Sequence, residues 1–232
     1  MSAKDHSNLI LSLRLALDSL KGVNKKSSWT GYYSDNNYSE TALNHKSDIL
    51  IKILSAKKPK IMADLGSNTG HFSRLLSKYC SYIISVDFDP HSVEQNFITN
   101  KSNKHTNILS IINDLTNPSP SLGWENKERM SLLARLKPDF VLALALVHHL
   151  YFTFNLKFTQ IASFFAGLTS YLVIEFIPLK DSQIDSLIGM RSTDFRDYDE
   201  EMFLQAFSEY FSIEKKYEIK DSLRTIYLMK KK

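Results

Sequence analysis

The sequence has one cysteine, Cys80, in 232 residues. That excludes an internal disulfide and a cysteine-based zinc cluster. Neither a helix N-terminus nor a base adjoins Cys80 in sequence, so it reads as a packing residue near a helix-to-strand turn rather than a reactive thiol. Long apolar runs are also missing: those present are too short or too interrupted to span a bilayer. The opening MSAKDHSN carries an acid, and no cleavage pattern follows the amphipathic stretch after it, so a signal peptide is not expected. A cytoplasmic place with no membrane partner follows as the expectation. Charge of one sign is scarce too. Lys and Arg number 29 against 25 Asp and Glu, a net charge of +4, and part of that excess is the tail Lys230, Lys231, Lys232. Such an excess is too small to argue for nucleic acid or an anionic surface. Internal repeats and low-complexity segments are absent. What remains is ordinary for a globular protein, 43% apolar and 23% charged, and suits one large domain or one domain with an N-terminal extension.

The rest of the chain is organised around KIMADLGSNTGHFSRLLSKYCSYIISVDFDP, residues 60–90. A buried strand is expected over 60–65, a glycine turn over 66–70, a helix over 71–78, and a second strand over 82–86 that ends on Asp87. This is the nucleotide-binding half of a doubly wound sheet, with the ligand at the carboxyl ends of the strands. Gly66 and Gly70 allow positive φ and close backbone approach, and Asn68 is among the few other residues that tolerate a left-handed conformation. The amides opening the helix face the ligand's polar end. Asp87 is where an acid accepts hydrogen bonds from both ribose hydroxyls.

A dinucleotide fingerprint would place glycines at 66, 68 and 71, whereas the chain has Gly66, Asn68 and His71; the close approach a pyrophosphate needs is not supplied. Asp64 two residues before Gly66, followed by G-S-N-T-G, resembles instead the first motif of class I S-adenosylmethionine-dependent methyltransferases. VDFDP resembles their second motif and the turn at Asn113, Asp114 and Leu115 their third. The resemblance runs from about residue 46 to the C-terminus and departs from the family's pattern at Asn68, where many members carry glycine. It implies S-adenosyl-L-methionine as cofactor and S-adenosyl-L-homocysteine as product. It implies a cradle of Asp64, Gly66, Ser67, Asn68, Thr69 and Gly70 for the methionine part. Asp87 would take the ribose and Asp114 the adenine amino group, with Phe88 and Leu115 on the ring faces. Asp114 read on its own is equally an Asx-turn residue or helix cap.

Along the chain, Leu9, Leu13, Leu17 and Leu20, with Ile10 beside them, predict an amphipathic helix over 6–21. Packing on its own domain is its plainest use; capping the site or joining a second subunit are the others. Segment 25–40 is a polar loop that carries Trp29, Tyr32, Tyr33 and Tyr38, either packed on the core or lining a substrate pocket as a lid. A helix follows over 40–54. Residues 1–45 thus form a helical extension with an aromatic loop, and 46–232 the cofactor-binding domain. Beyond Asp87 the pattern predicts a helix over 90–100, a strand over 107–112, a helix over 126–136, and a near-continuous apolar strand over 139–146 of the kind buried on both faces. A helix over 156–168, a strand over 170–176 and a helix over 199–210 come next. A close pair of strands, 211–219 and 224–229, closes an otherwise parallel sheet as an antiparallel hairpin. The expected fold is α/β: a doubly wound, seven-stranded, mostly parallel sheet with a C-terminal hairpin and N-terminal helices. The resembled family's sheet ends in that way, and a typical dinucleotide-binding domain does not.

On the substrate side, His148 and His149 lie just beyond the fourth strand, where the resemblance places the transferring methyl group. A histidine there accepts a proton from an oxygen or nitrogen nucleophile, or fixes the loop through backbone. Adjacent residues do not easily point the same way, so at most one of the two is expected to act directly. No third ligand accompanies them, so no metal is expected. Glu175, ending the fifth strand, is a candidate for orienting substrate or a histidine. Trp29, Tyr32 and Tyr33 are the candidate walls of the acceptor pocket. The N/D-P-P-Y/F motif of nucleobase amino methyltransferases is absent after the fourth strand. The H-H-L run with IEFIPLKDSQID downstream resembles a small group of bacterial methyltransferase-like proteins related to a host-specific nodulation protein. The function expected is methyl transfer to an oxygen or nitrogen of a small molecule. The alternatives are a non-catalytic S-adenosylmethionine-binding subunit and a methyltransferase acting on RNA.

Overall fold

The computed structural model describes residues 2–20, 39–188, 195 and 197–232. Its first element, α1 (Ala3–Ser19), opens with a capping box in which the Ser2 hydroxyl accepts from the Asp5 amide and the Asp5 carboxylate accepts from the Ser2 amide. The predicted helix is present, but its expected packing is not. Leu9, Ile10, Leu13, Leu17 and Leu20 are 50–72% exposed and no residue of α1 is buried. Periodicity shows that a helix has an apolar face without saying what covers it.

The next helix, α2 (Glu40–Lys57), begins where the Ser39 hydroxyl accepts from the Ala42 amide. It ends at Lys58, whose φ of 46° is left-handed, just before Pro59. It runs without a break across positions 45 and 46. Ala42, Ile49, Leu50, Ile53 and Leu54 form its buried face, packed in one cluster with Met62, Phe72, Ile83, Phe140 and Leu142.

Then come β1 (Ile61–Leu65), α3 (His71–Leu76), β2 (Tyr82–Asp87), α4 (Pro90–Ser102), β3 (Ile108–Ile112), α5 (Leu132–Arg135) and β4 (Phe140–Ala143). After these follow α6 (Val147–Phe152), α7 (Phe158–Leu168), β5 (Tyr171–Phe176), α8 (Ser182–Ile188), α9 (Glu200–Ser208), β6 (Phe211–Glu218) and β7 (Thr225–Lys231). The seven strands are ordered β3-β2-β1-β4-β5-β7-β6. The first five run parallel, and β7 joins antiparallel to both β5 and β6. The expected sheet and hairpin are both present. Side chains alternate across it. Ala63, Leu65, Val86, Val141 and Ala143 face a cluster built on α6, α7 and α9, while Met62, Ile83, Phe140 and Leu142 face α2 and α3. Both faces being covered, β4 is buried at every position. Edge strand β6 carries Lys215 and Lys216, charges that discourage pairing with another chain.

Three expectations need correction. The helix over 126–136 shrinks to α5, because Gly123, Glu125 and Asn126 take positive φ and Leu122 pairs antiparallel with Arg129; Ser131 then caps the short helix. The strand over 139–146 stops at Ala143, since Ala145 turns left-handed at φ 47°. As a result His148 and His149 lie in helix α6 rather than in a loop. Helix α8 was not foreseen; Asp181 accepts from the Gln183 amide at its start.

Candidate functional site

The turn after β1 is folded against the end of β2. Gly66 and Ser67 both donate their amides to the Val86 carbonyl, at 2.9 and 3.0 Å. Asn68, at φ 49°, donates its amide to Asp87 Oδ2 at 2.7 Å, and the Asp89 amide donates to Asp87 Oδ1 at 3.0 Å. Asp87 therefore fastens the turn as well as facing the cleft. Burial holds its carboxyl above the ordinary range, opposed by those backbone donors. Gly70 has φ 76°, and a Cβ there would lie 2.0 Å from Asn96 Oδ1. Asn96 is held in place by donating to Ser85 Oγ at 2.7 Å. Beneath the turn, Asp64 accepts from the Ser73 hydroxyl at 2.6 Å. Burial pushes Asp64 up to about 6, with the Ser73 bond opposing and the Asp87 charge adding to the rise.

At the carboxyl ends of the strands lie two adjoining chambers. The larger, about 360 Å³, takes Asp64 from β1, Gly66, Ser67 and Asn68 from the glycine turn, Leu43 and Lys46 from α2, Phe72 from α3, and Ala145, His149 and Thr153 from the far wall. The smaller, about 40 Å³, is bounded by Asn113, Asp114, Leu115 and Thr116. Gly66, Asp87, Phe88, Leu146, Leu150 and Phe154 line both. Asp87 thus stands at the junction. Asp114 accepts from the amide and hydroxyl of Thr116 at 2.8 and 2.7 Å, so the Asx-turn role holds at the same time as its place on the chamber wall.

Of the residues singled out in the sequence, Asp64, Gly66, Ser67, Asn68, Asp87, Phe88, Asp114, Leu115 and His149 come together on these walls. Thr69 and Gly70 stand behind, shaping the turn; the Thr69 carbonyl accepts from Arg74 at 2.7 Å. The two histidines separate as expected. His149 lines the larger chamber and His148 is buried behind it, with ring centroids 4.2 Å apart. Burial, then the Arg224 cation, pushes His149 down to about 4, and burial holds His148 well below the ordinary range. Both are neutral at pH 7. Arg224 is itself buried and held by Asp181 at 2.7 and 3.0 Å. Glu175 lies behind the wall, fully buried, where its Oε2 accepts from Lys46 Nζ at 2.7 Å and from the Ala145 amide at 2.8 Å. Trp29, Tyr32 and Tyr33 lie outside the described residues. Cys80 is buried at the helix-to-strand turn, its thiol pushed up to about 12 by burial.

Lys46 is the residue the sequence reading missed. It falls three positions after Leu43 and four before Leu50, on the apolar face of α2, and a lysine there needs a buried partner. Glu175, a charge within an otherwise apolar central strand, was the other half of that signal.

Whether a nucleoside cofactor suits this cleft is answered by its donor set. The Ser67 hydroxyl is buried without a hydrogen-bond partner, the turn leaves room for close approach, and the larger chamber is of ligand size. The residues fit. Among the described residues no group of three or more His, Cys, Asp or Glu could hold a metal ion.

This strand order, with its C-terminal hairpin and glycine-turn cleft, is the fold of class I S-adenosylmethionine-dependent methyltransferases. The chain is 34% identical over 206 residues to nodulation protein NoeA of Rhizobium meliloti (strain 1021), across 88% of this chain and 43% of that protein. It therefore spans less than half the length of that curated relative. The resemblance to a nodulation-protein-related group, expected from the H-H-L run, is met. Among solved structures, N-methyltransferase NodS of Bradyrhizobium japonicum WM9 in complex with S-adenosyl-L-homocysteine superposes with a TM-score of 0.61 at 10% identity, covering 87% of this chain and 92% of that one. Magnesium protoporphyrin IX methyltransferase (ChlM) of Synechocystis PCC 6803 with bound S-adenosylmethionine gives 0.59 at 16% identity, covering 88% and 89%. These likenesses speak for the fold. No protein-family profile matches the chain. No helix among the described residues is long and apolar enough to cross a membrane.

Proposed function

We propose that the chain transfers a methyl group from S-adenosylmethionine to an oxygen or nitrogen of a small molecule, leaving S-adenosylhomocysteine. The observation that carries this reading is the position of Asp87. One carboxylate borders both chambers, as a ribose-binding acid must when adenine lies on one side and an amino-acid tail on the other. Phe88 and Leu115 then supply the ring faces and Asp114 the adenine edge, while the Ser67 hydroxyl, buried without a hydrogen-bond partner, takes the tail. The bound cofactor supplies an activated methyl group, so the protein's part is alignment and exclusion of water.

The acceptor side is the wall formed by Leu43, Lys46, Phe72, His149 and Thr153. His149 is the residue we assign to the nucleophile. Being neutral, its imidazole accepts a hydrogen bond and orients the attacking atom, but an imidazole pushed down to about 4 is a weak proton sink. That favours a nucleophile already in its reactive form, an amine or an acidic oxygen, over an unactivated alcohol. Glu175 acts from behind the wall. Calorimetric titration with S-adenosylmethionine, S-adenosylhomocysteine and NADH tests the reading. Micromolar binding of the first two and none of NADH is expected; binding of NADH alone would overturn it.

A further inference from the structure

Glu175 places a buried carboxyl group, paired with Lys46, directly behind the wall of the larger chamber. Its Oε2 accepts from the Ala145 amide at 2.8 Å, and Ala145 holds φ 47°, a conformation that L side chains rarely adopt. From that turn α6 carries His149 to the chamber wall. The bond thus fixes the geometry of the acceptor side. It also anchors a carboxylate behind a chamber that, on the reading above, receives a sulfonium.

Transfer of a methyl group from sulfonium to a neutral or anionic nucleophile disperses the donor's positive charge. A wall of net negative charge would then stabilise the bound donor more than the transition state and slow the step. Lys46 stands on the same chamber, 2% exposed, with Nζ 2.7 Å from Glu175 Oε2 and 5.1 Å from the Phe72 ring centroid.

We propose that Lys46 and Glu175 are positioning residues that act as one neutral pair, Glu175 fixing the Ala145 turn and Lys46 cancelling its charge, so that the pair adds nothing that favours the sulfonium donor over the thioether product. The proposal rests on S-adenosylmethionine being the cofactor. The other charged and titratable groups that face the pair are Arg224, Asp64 and His71, with Asp87 and the neutral His148 and His149 nearby. Each variant is compared with the wild type at the same pH, because Asp64, pushed up to about 6 and held down in part by Lys46, changes its own charge between the two.

The test is the ratio of dissociation constants, S-adenosylhomocysteine over S-adenosylmethionine, measured by calorimetry at pH 6 and pH 9. The two ligands share every group but the methyl, so the ratio isolates the sulfonium. One uncompensated charge across so small a chamber shifts it by about tenfold. Lys46→Met, which removes the cation beside the carboxylate, should raise the ratio at pH 9. Glu175→Gln, which retains an acceptor for the Ala145 amide, should lower it at pH 6. Lys46→Arg should return the wild-type ratio at both pH values, and the double variant Lys46→Met, Glu175→Gln at pH 9, where Asp64 is ionised with or without Lys46. A ratio that stays at the wild-type value in both single variants at both pH values overturns the proposal, as does an equal weakening of the two ligands. If the wild-type protein binds neither ligand, the cofactor reading itself has failed, an outcome distinct from binding with an unmoved ratio.

Discussion

Replacing Asp87 by Asn is the most informative single change at the cleft. The side chain keeps its size but loses its charge and one of its two acceptor oxygens. Hydrogen bonds to a charged group contribute about 1.5–3 kcal/mol each. Two ribose hydroxyls sharing the carboxylate therefore imply a loss of roughly 3 kcal/mol or more, on the order of a hundredfold in cofactor affinity. The same substitution disturbs the turn, because Oδ1 and Oδ2 each accept from a backbone amide, those of Asp89 and Asn68. The amide group of Asn must face one of these donors, and a buried donor left without a partner costs about 1–3 kcal/mol of stability. Asp87→Ala would strand both donors, so its effect on binding is mixed with an effect on the fold; Asn is the cleaner choice. The assay is calorimetric titration with S-adenosylhomocysteine at a temperature where a parallel thermal melt shows the variant folded. An affinity within threefold of wild type in the folded variant would refute the assignment of Asp87 to the ribose.

Gly70→Ala should destabilise the protein by about 2 kcal/mol or more, read as a lowered unfolding midpoint, because its φ of 76° is left-handed and its Cβ would meet Asn96 at 2.0 Å. An unchanged midpoint would contradict the packing of the turn. Asp64 tests the buried acid. Its folded value of about 6 lies above the ordinary 3.8, so between those values the folded state binds the extra proton, and stability falls as pH rises from about 4 to about 7. Denaturant titrations should show wild type losing about 3 kcal/mol relative to Asp64→Asn across that range; parallel curves would count against it. For His149, pushed down to about 4, proton NMR should show no imidazole titration above pH 5.5, and a midpoint near 6.5 would mean that the side chain is not buried as described.

The glycine turn was legible because each of its residues has one dominant physical use. Gly66, Asn68 and Gly70 do take positive φ, and an acid at the end of β2 does face the cleft. The C-terminal hairpin was legible from two strands too close together for a crossover helix. The stretch after β4 was not. DFVLALAL has no period that tells where a strand ends, and what ends it is Glu175 taking the Ala145 amide from 30 positions away. Lys46 was obscured for the same reason: a lysine on an apolar helix face looks like a flaw in the pattern until its partner, 129 positions on, is in view. The short α5 reflects turn chemistry at Gly123, Glu125 and Asn126, of which only Glu125 is a residue type that rarely takes positive φ. In α1 the pattern gave the helix correctly and could not give a contact.

The measurement that bears most directly on the account is a structure of the chain crystallised with S-adenosylhomocysteine. The account predicts adenine between Phe88 and Leu115 in the smaller chamber, both ribose hydroxyls on Asp87, and the sulfur in the larger chamber on the side of Lys46 and His149. Adenine in the larger chamber, or a ribose that does not touch Asp87, would contradict it.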